Sequence, residues 1–172
     1  MQRKFMWIGL GTAAISAVIW TGNAAYATPA VGYVSNTIAM STFPAFDVFN
    51  ESIPAAGSGG QIWLSWQKTI GNSDVYVQNN AWDPGGDTGW HSHPGHSLII
   101  VTSGTVTDYE ADDTNCTPHV YTAGQAFVDE GGDHAHIIRN EGTVQATTMA
   151  IQVIPSGAAR RIDVNNPGTC PF

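Results

Sequence analysis

The sequence predicts an all-β fold, a two-sheet barrel or jelly roll around a single core, and three observations carry that expectation. Short runs rich in Val, Ile, Thr, Tyr and Trp follow one another from residue 61 to residue 154, each ending near Gly, Pro, Asn or Asp, the residues that break strands and make turns. No stretch keeps a 3.6-residue apolar period long enough for a helix, and Glu, Lys and Leu are scarce. Some runs, such as Ser97–Thr102, are apolar on both faces, as in a sheet covered on both sides.

The N-terminus stands apart from that pattern. A basic start (Met1-Gln2-Arg3-Lys4), a mostly apolar run from Phe5 to Trp20 and a small-x-small site at Ala25-Tyr26-Ala27 predict a secretory signal over residues 1–27, leaving 28–172 as one domain. The apolar run is short for a bilayer span, which needs about 20 residues. Thr28–Phe49, with Pro29 and Pro44, reads as a leading strand and irregular N-terminal arm packed on the body, and Ala55–Gly60 as a loop. Strands are expected at Gln61–Lys68, Asp74–Trp82, Ser97–Thr102, Thr105–Glu110, His119–Thr122, Ala126–Asp129, Ala135–Arg139 and Val144–Ile154. Turns fall at Asp83–Asp87, Ser103-Gly104, Ala123-Gly124, Gly131-Gly132 and Glu141-Gly142.

Composition narrows the partners. With 172 residues, 42% hydrophobic and 12% charged, the chain suits one globular domain rather than a disordered tail. Fourteen acids oppose six bases, a net charge of −8; without Arg3 and Lys4, four bases remain and the net charge is −10. That balance argues against nucleic acid and against docking on an anionic membrane once the signal is removed, and for a small-molecule ligand or substrate, neutral or cationic. Cys116 and Cys170 are the only cysteines, and an even count in an exported chain predicts a disulfide between them.

Five of the six histidines fall in two groups: His91-Ser92-His93 with His96 just beyond, and His134-Ala135-His136. Residues i and i+2 of a strand share a face, so each HxH pair is expected to present two imidazoles on one side. Two such strands facing one another would bring four neutral nitrogen donors together, a ligand set suited to Zn, Cu, Ni or Fe.

Gly89-Trp90-His91-Ser92-His93-Pro94-Gly95 through Ser103-Gly104 resembles the first cupin motif, and Gly124–Gly132 followed by His136-Ile137-Ile138-Arg139-Asn140 resembles the second. The resemblance covers residues 89–140, and more narrowly the chain is similar to small exported bacterial cupin-domain proteins. It implies a cupin-type jelly-roll barrel and names His91, His93 and His136 as metal ligands. Two departures stand out: Ser97 replaces the glutamate ligand of the motif, and Glu130 replaces its turn proline, with one extra residue before His136. His134, His96, Glu130 or water are the candidates for a fourth ligand. Neutral imidazoles alone would leave a full +2 charge on the ion and disfavour Mn.

The remaining residues are read more plainly. Trp82 and Trp90 are expected in the core, Arg139 beside an acid, Asn140 in a turn, and Asp129, Glu130 and Asp133 as acceptors for imidazole N–H groups. The function expected is an exported metal-binding cupin, its enzymatic form an oxygenase or isomerase acting on a small molecule. The rival form is a non-enzymatic binding barrel, and sheet packing between copies offers a homodimer.

Overall fold

The computed structural model describes residues 27–172, so the signal expected over residues 1–27 lies outside the described residues apart from Ala27. Among them are twelve strands and no helix: β1 Val31–Phe43, β2 Asp47–Ser52, β3 Trp63–Lys68, β4 Ser73–Asp87, β5 His91–Ser92, β6 Ser97–Ser103, β7 Thr105–Glu110, β8 His119–Thr122, β9 Ala126–Asp129, β10 His136–Arg139, β11 Ala146–Pro155 and β12 Ile162–Asp163. Every pairing is antiparallel. One layer runs β1-β4-β11-β6-β9 and the other β12-β5-β10-β7-β8. The fold is all-β, a jelly roll in a nearly closed sheet.

The layers join where the sequence predicts only a turn. β4 continues through Asp83–Asp87 instead of ending at Trp82, because the Pro84-Gly85-Gly86 segment forms a corner. Against β1 its register jumps from Tyr33↔Trp82 to Val31↔Asp87. The freed backbone groups pair elsewhere: Gly85 N–H donates to the Asn140 carbonyl, and Asn140 N–H donates to that of Gly86. Asn140 holds its own turn as expected, donating to the Trp82 and Val144 carbonyls and accepting from Gly142 N–H.

Alternation sorts the side chains into two clusters. Between the layers pack Trp82, Ile99, Val101, Val106, Phe127, Ile138, Ala146 and Ala150. Outside the second layer pack Trp90, Tyr109, Ile137 and Cys170, so the C-terminal tail covers that sheet's outer face. Arg139 pairs with Glu141 and lies over the Phe172 ring, 3.9 Å from its centroid. The expected Cys116–Cys170 disulfide forms, with Cα atoms 5.2 Å apart.

The N-terminal arm departs from expectation. β1 pairs with β4 along nearly its whole length, but Asp47–Lys68 is not packed on the body. It forms a separate β2–β3 hairpin, bonded only to itself, with all of β2 exposed.

Because the disulfide closes a loop of 54 residues and anchors the tail over the second layer, reducing it removes about 4 kcal/mol on the chain-entropy account. Thermal melting with and without reductant checks this; the Cys116→Ser variant should melt like the reduced protein.

Candidate metal centre

The site begins with a glycine. Gly89 adopts φ +65°, and a Cβ there would lie 2.1 Å from the Thr28 carbonyl oxygen, so only glycine lets the arm approach this closely. Thr28 Oγ1 in turn accepts from Trp90 N–H at 2.6 Å. The arm thereby places β5, with Trp90 facing outward into the tail cluster and His91 inward.

Inside, β5 pairs with β10 through His91↔His136, and His93, two residues after His91, falls on the same side. Ring centroids are 4.8 Å apart for His91 and His93, 4.7 Å for His91 and His136, and 6.1 Å for His93 and His136. One ligand atom from each of the three lies within 4.8 Å of the others. The structure thus brings His91, His93 and His136 together inside the barrel.

His134 does not join them. Strand β10 starts only at His136, after a turn in which Gly131 and Gly132 both have positive φ. Two-residue alternation holds only in extended chain, so His134 does not share the inward face of His136. Its ring is half exposed, with Nε2 3.5 Å from Glu130 Oε2, and it lines an outer pocket with His119. The four-imidazole arrangement expected from the two HxH pairs is therefore corrected to three. His96 also lies outside the trio.

Each of the three rings is held through Nδ1. That nitrogen of His91 donates to the Gly89 carbonyl at 2.9 Å, and that of His93 donates to the Arg160 carbonyl. Carbonyls only accept, so the hydrogen sits on Nδ1 and the lone pair on Nε2. His136 Nδ1 donates to Asp108 Oδ1 at 3.1 Å, while its Nε2 is buried with no hydrogen-bond partner. A carboxylate behind a histidine with its far nitrogen bare is the arrangement that orients imidazole ligands on metals. Three rings oriented in this way fit a divalent transition metal.

The electrostatics divide the trio. Burial holds His91 well below the ordinary imidazole value, helped by the nearby charges of His136 and Arg161. Burial also lowers His93, against the opposing pull of Asp129. For His136 burial works downward too, but the Asp108 carboxylate outweighs it and pushes the ring up to about 9. Without metal, a proton at neutral pH therefore resides on His136.

Asp108 is the site residue that the sequence reading missed. The signal was available: Val106, Asp108 and Glu110 share the inward face of β7, the strand paired with β10, which puts a carboxylate beside the motif histidine. Asp129 lies 3.5 Å from His93 Nε2 and accepts a hydrogen bond from Ser97, so the serine in the motif's glutamate position faces a carboxylate on the next strand. Together with the neutral side chains Gln78, Asn80, Thr148 and Gln152, these groups line an interior cavity of about 40 Å³. An outer pocket of about 310 Å³ shares Asp129 and His136 with it and adds Asp108, Glu110, Asp112 and Glu130. Burial, followed by the charge of Asp108, raises Glu110.

Comparison with known proteins agrees with this geometry. Residues 81–152, which include all three histidines, match the family model described as the cupin domain. No curated protein matches the sequence. Among solved structures the chain is similar to a conserved protein of unknown function from Streptococcus pyogenes, with 21% identity over 49% of this chain and 67% of that one and a TM-score of 0.39. It is similar to oxalate oxidase in complex with the substrate analogue glycolate, with 24% identity over 45% and 41% and a TM-score of 0.40. A third is the polyketide cyclase RemF from Streptomyces resistomycificus, with 16% identity over 54% and 64% and a TM-score of 0.44. The match spans between 41% and 67% of those proteins' lengths. Over residues 81–152 the chain is thus similar to the cupin domain.

Proposed function

We propose that the barrel holds one divalent transition metal on His91, His93 and His136 and presents it to a small neutral or cationic molecule. The observation that carries this reading is the buried Nε2 of His136, left without a partner while its ring is fixed through Nδ1. A bare buried nitrogen needs an explanation, and a metal is the one that also engages the two neighbouring rings. Bound there, Zn, Cu, Ni or Fe would supply Lewis-acid or redox chemistry.

The chain's own residues do the rest. Asp108 orients His136 and draws its proton to the far side of the ring. Asp129, beside His93, is the candidate for the fourth position and takes over, from the neighbouring strand, the role of the carboxylate missing at Ser97. With that charge in reach the ion no longer faces imidazoles alone, and Mn joins the metals the site accepts. The acidic outer pocket repels carboxylates and attracts cations. Oxygenation or isomerisation of a small neutral molecule is the enzymatic form of the proposal. The rival form is a binding barrel without turnover. The Cys116–Cys170 bond supports an exported protein.

Elemental analysis of untagged protein tests the proposal. One equivalent of metal is expected, and it should be lost from His91→Ala/His93→Ala. Metal-free protein whose melting is unmoved by Zn or Cu would overturn it. Oxygen uptake over a panel of phenols and diketones then separates enzyme from binder. Asp108→Asn keeps all three rings but removes the orienting charge, so metal affinity measured by chelator competition above pH 9, where no ring proton competes in either protein, should fall about 10- to 100-fold.

The pH dependence has a definite sign. His91 and His93 are already neutral at pH 7, whereas His136 retains its proton up to about 9. Metal must displace that proton, so affinity should rise roughly tenfold per pH unit from 7 towards 9 and then level off. Calorimetry in buffers of different ionisation enthalpy should register one proton released per metal, and Asp108→Asn should bring the plateau to lower pH.

A further inference from the structure

The inward faces of two packed sheets ordinarily meet through apolar side chains, but here part of that face is polar. Alternation along β4 and β11 turns Gln78, Asn80, Trp82, Thr148 and Gln152 into the barrel, each at most 6% exposed. Burying amides and hydroxyls costs free energy unless they find partners, and most of these do. Ser35 Oγ donates to Gln78 Oε1 at 2.8 Å, and Gln78 Nε2 donates to Gln152 Oε1 at 3.4 Å. The Tyr33 hydroxyl donates to Asn80 Oδ1 and Asn80 Nδ2 to Thr148 Oγ1, both at 3.3 Å. Two donors are left over. The Thr148 hydroxyl accepts from Asn80, and its own hydrogen finds no acceptor among the described residues. The indole N–H of Trp82, a side chain only 1% exposed, has no partner among them either. Trp82 pairs with Ala146 and Thr148 with Asn80, so the two are diagonal neighbours on one face, a spacing of about 7–8 Å that long side chains bridge. Both line the interior cavity that His91, His93 and His136 also line. An indole N–H only donates, so what Trp82 lacks is an acceptor atom.

We propose that Trp82 and Thr148 form a ligand subsite in this cavity, and that the molecule it takes is uncharged and carries two oxygen acceptors, as a hydroxyketone or hydroxyamide does. One oxygen accepts from Trp82 Nε1–H and the Thr148 hydroxyl, since a carbonyl oxygen has lone pairs for both. The other faces the histidine trio, and only this second contact rests on the metal proposed there. Charge decides the class. Apart from Asp129 and the histidines, the side chains lining the cavity are uncharged, so a charged group at the subsite would give up its hydration without a counter-charge. The outer pocket, which shares Asp129 and His136 with the cavity, adds Asp108, Glu110, Asp112 and Glu130, and these repel an anion. A divalent ion on the trio repels a cation in turn. A neutral molecule meets neither barrier, and it satisfies both leftover donors. Selectivity follows from the same donors, because a molecule without the acceptor leaves them buried and unpaired.

Three molecules of like size and different charge test this: lactamide, which is neutral, lactate, an anion, and isopropanolamine, a cation. Each is titrated at neutral pH into the zinc-treated full chain, with isotope-labelled indole N–H groups followed by nuclear magnetic resonance. Trp82→Phe keeps a ring but loses the N–H, and so identifies the Trp82 signal among the six tryptophans. Lactamide should shift that signal and bind roughly tenfold more tightly than either charged analogue. Its affinity should fall about 3- to 10-fold in Trp82→Phe and in Thr148→Val, the loss of one hydrogen bond, and recover in Thr148→Ser. The two Thr148 variants carry the test alone should Trp82→Phe fail to fold. A Trp82 signal unmoved by lactamide, as from a cavity that keeps its water, overturns the proposal. Equal binding of a charged analogue, or unchanged affinity in the folded variants, overturns it as well. The zinc content of the same samples separates this result from the metal proposal. Zinc-free protein whose Trp82 signal still moves keeps the subsite and loses the metal, and zinc-bound protein whose signal stays put does the reverse.

Discussion

Three imidazoles packed side by side in a water-poor barrel cannot all be charged, and the rest of the site is arranged around that constraint. Each proton on one ring raises the cost of a proton on its neighbours, so burial and mutual repulsion keep His91 and His93 neutral. The remaining charge settles on His136, because Asp108 faces it from β7. The carbonyls of Gly89 and Arg160 then fix the tautomers of the other two rings. The result is three oriented rings, with lone pairs ready on His91 and His93 and one proton to be displaced from His136, held in place before any ligand arrives, which lowers the entropy lost on binding.

Support for that group comes from far along the chain. Thr28 approaches Gly89 so closely that a side chain there would collide, and this contact positions β5. Arg160, which holds His93, belongs to the segment before β12, and Gln152 on β11 donates to the same carbonyl. The β4 corner carries the strand from the layer paired with β1 to the layer that bears the histidines. The disulfide and tail close the outer face of that second layer. The histidine trio is thus backed on one side by the disulfide-anchored tail.

Much of this was legible in the chain. Strand positions were readable because apolar alternation and turn residues act locally, and strands β6, β7, β8 and β9 lie where expected. His91 and His93 were readable for the same reason, since two residues of extended chain share a face. His134 was misjudged because that rule presumes extended backbone, and two glycines in left-handed conformations precede it. The both-faced apolarity of Ser97–Thr102 pointed to cover on both sides, but among the described residues only the side of Ile99 and Val101 is covered, and Leu98 and Ile100 are half exposed.

By itself, then, the sequence determined the all-β class and the disulfide partners and offered four histidines, His91, His93, His134 and His136, all of which depend on residue type and local spacing or on there being just two cysteines. Only the tertiary structure decided that Asp108 stands behind His136, that Asp129 faces Ser97 across a strand pair, and that Asp47–Lys68 leaves the body as a hairpin. These depend on which strands become neighbours, and strand pairing is set by the packing of the whole barrel rather than by any local run of residues.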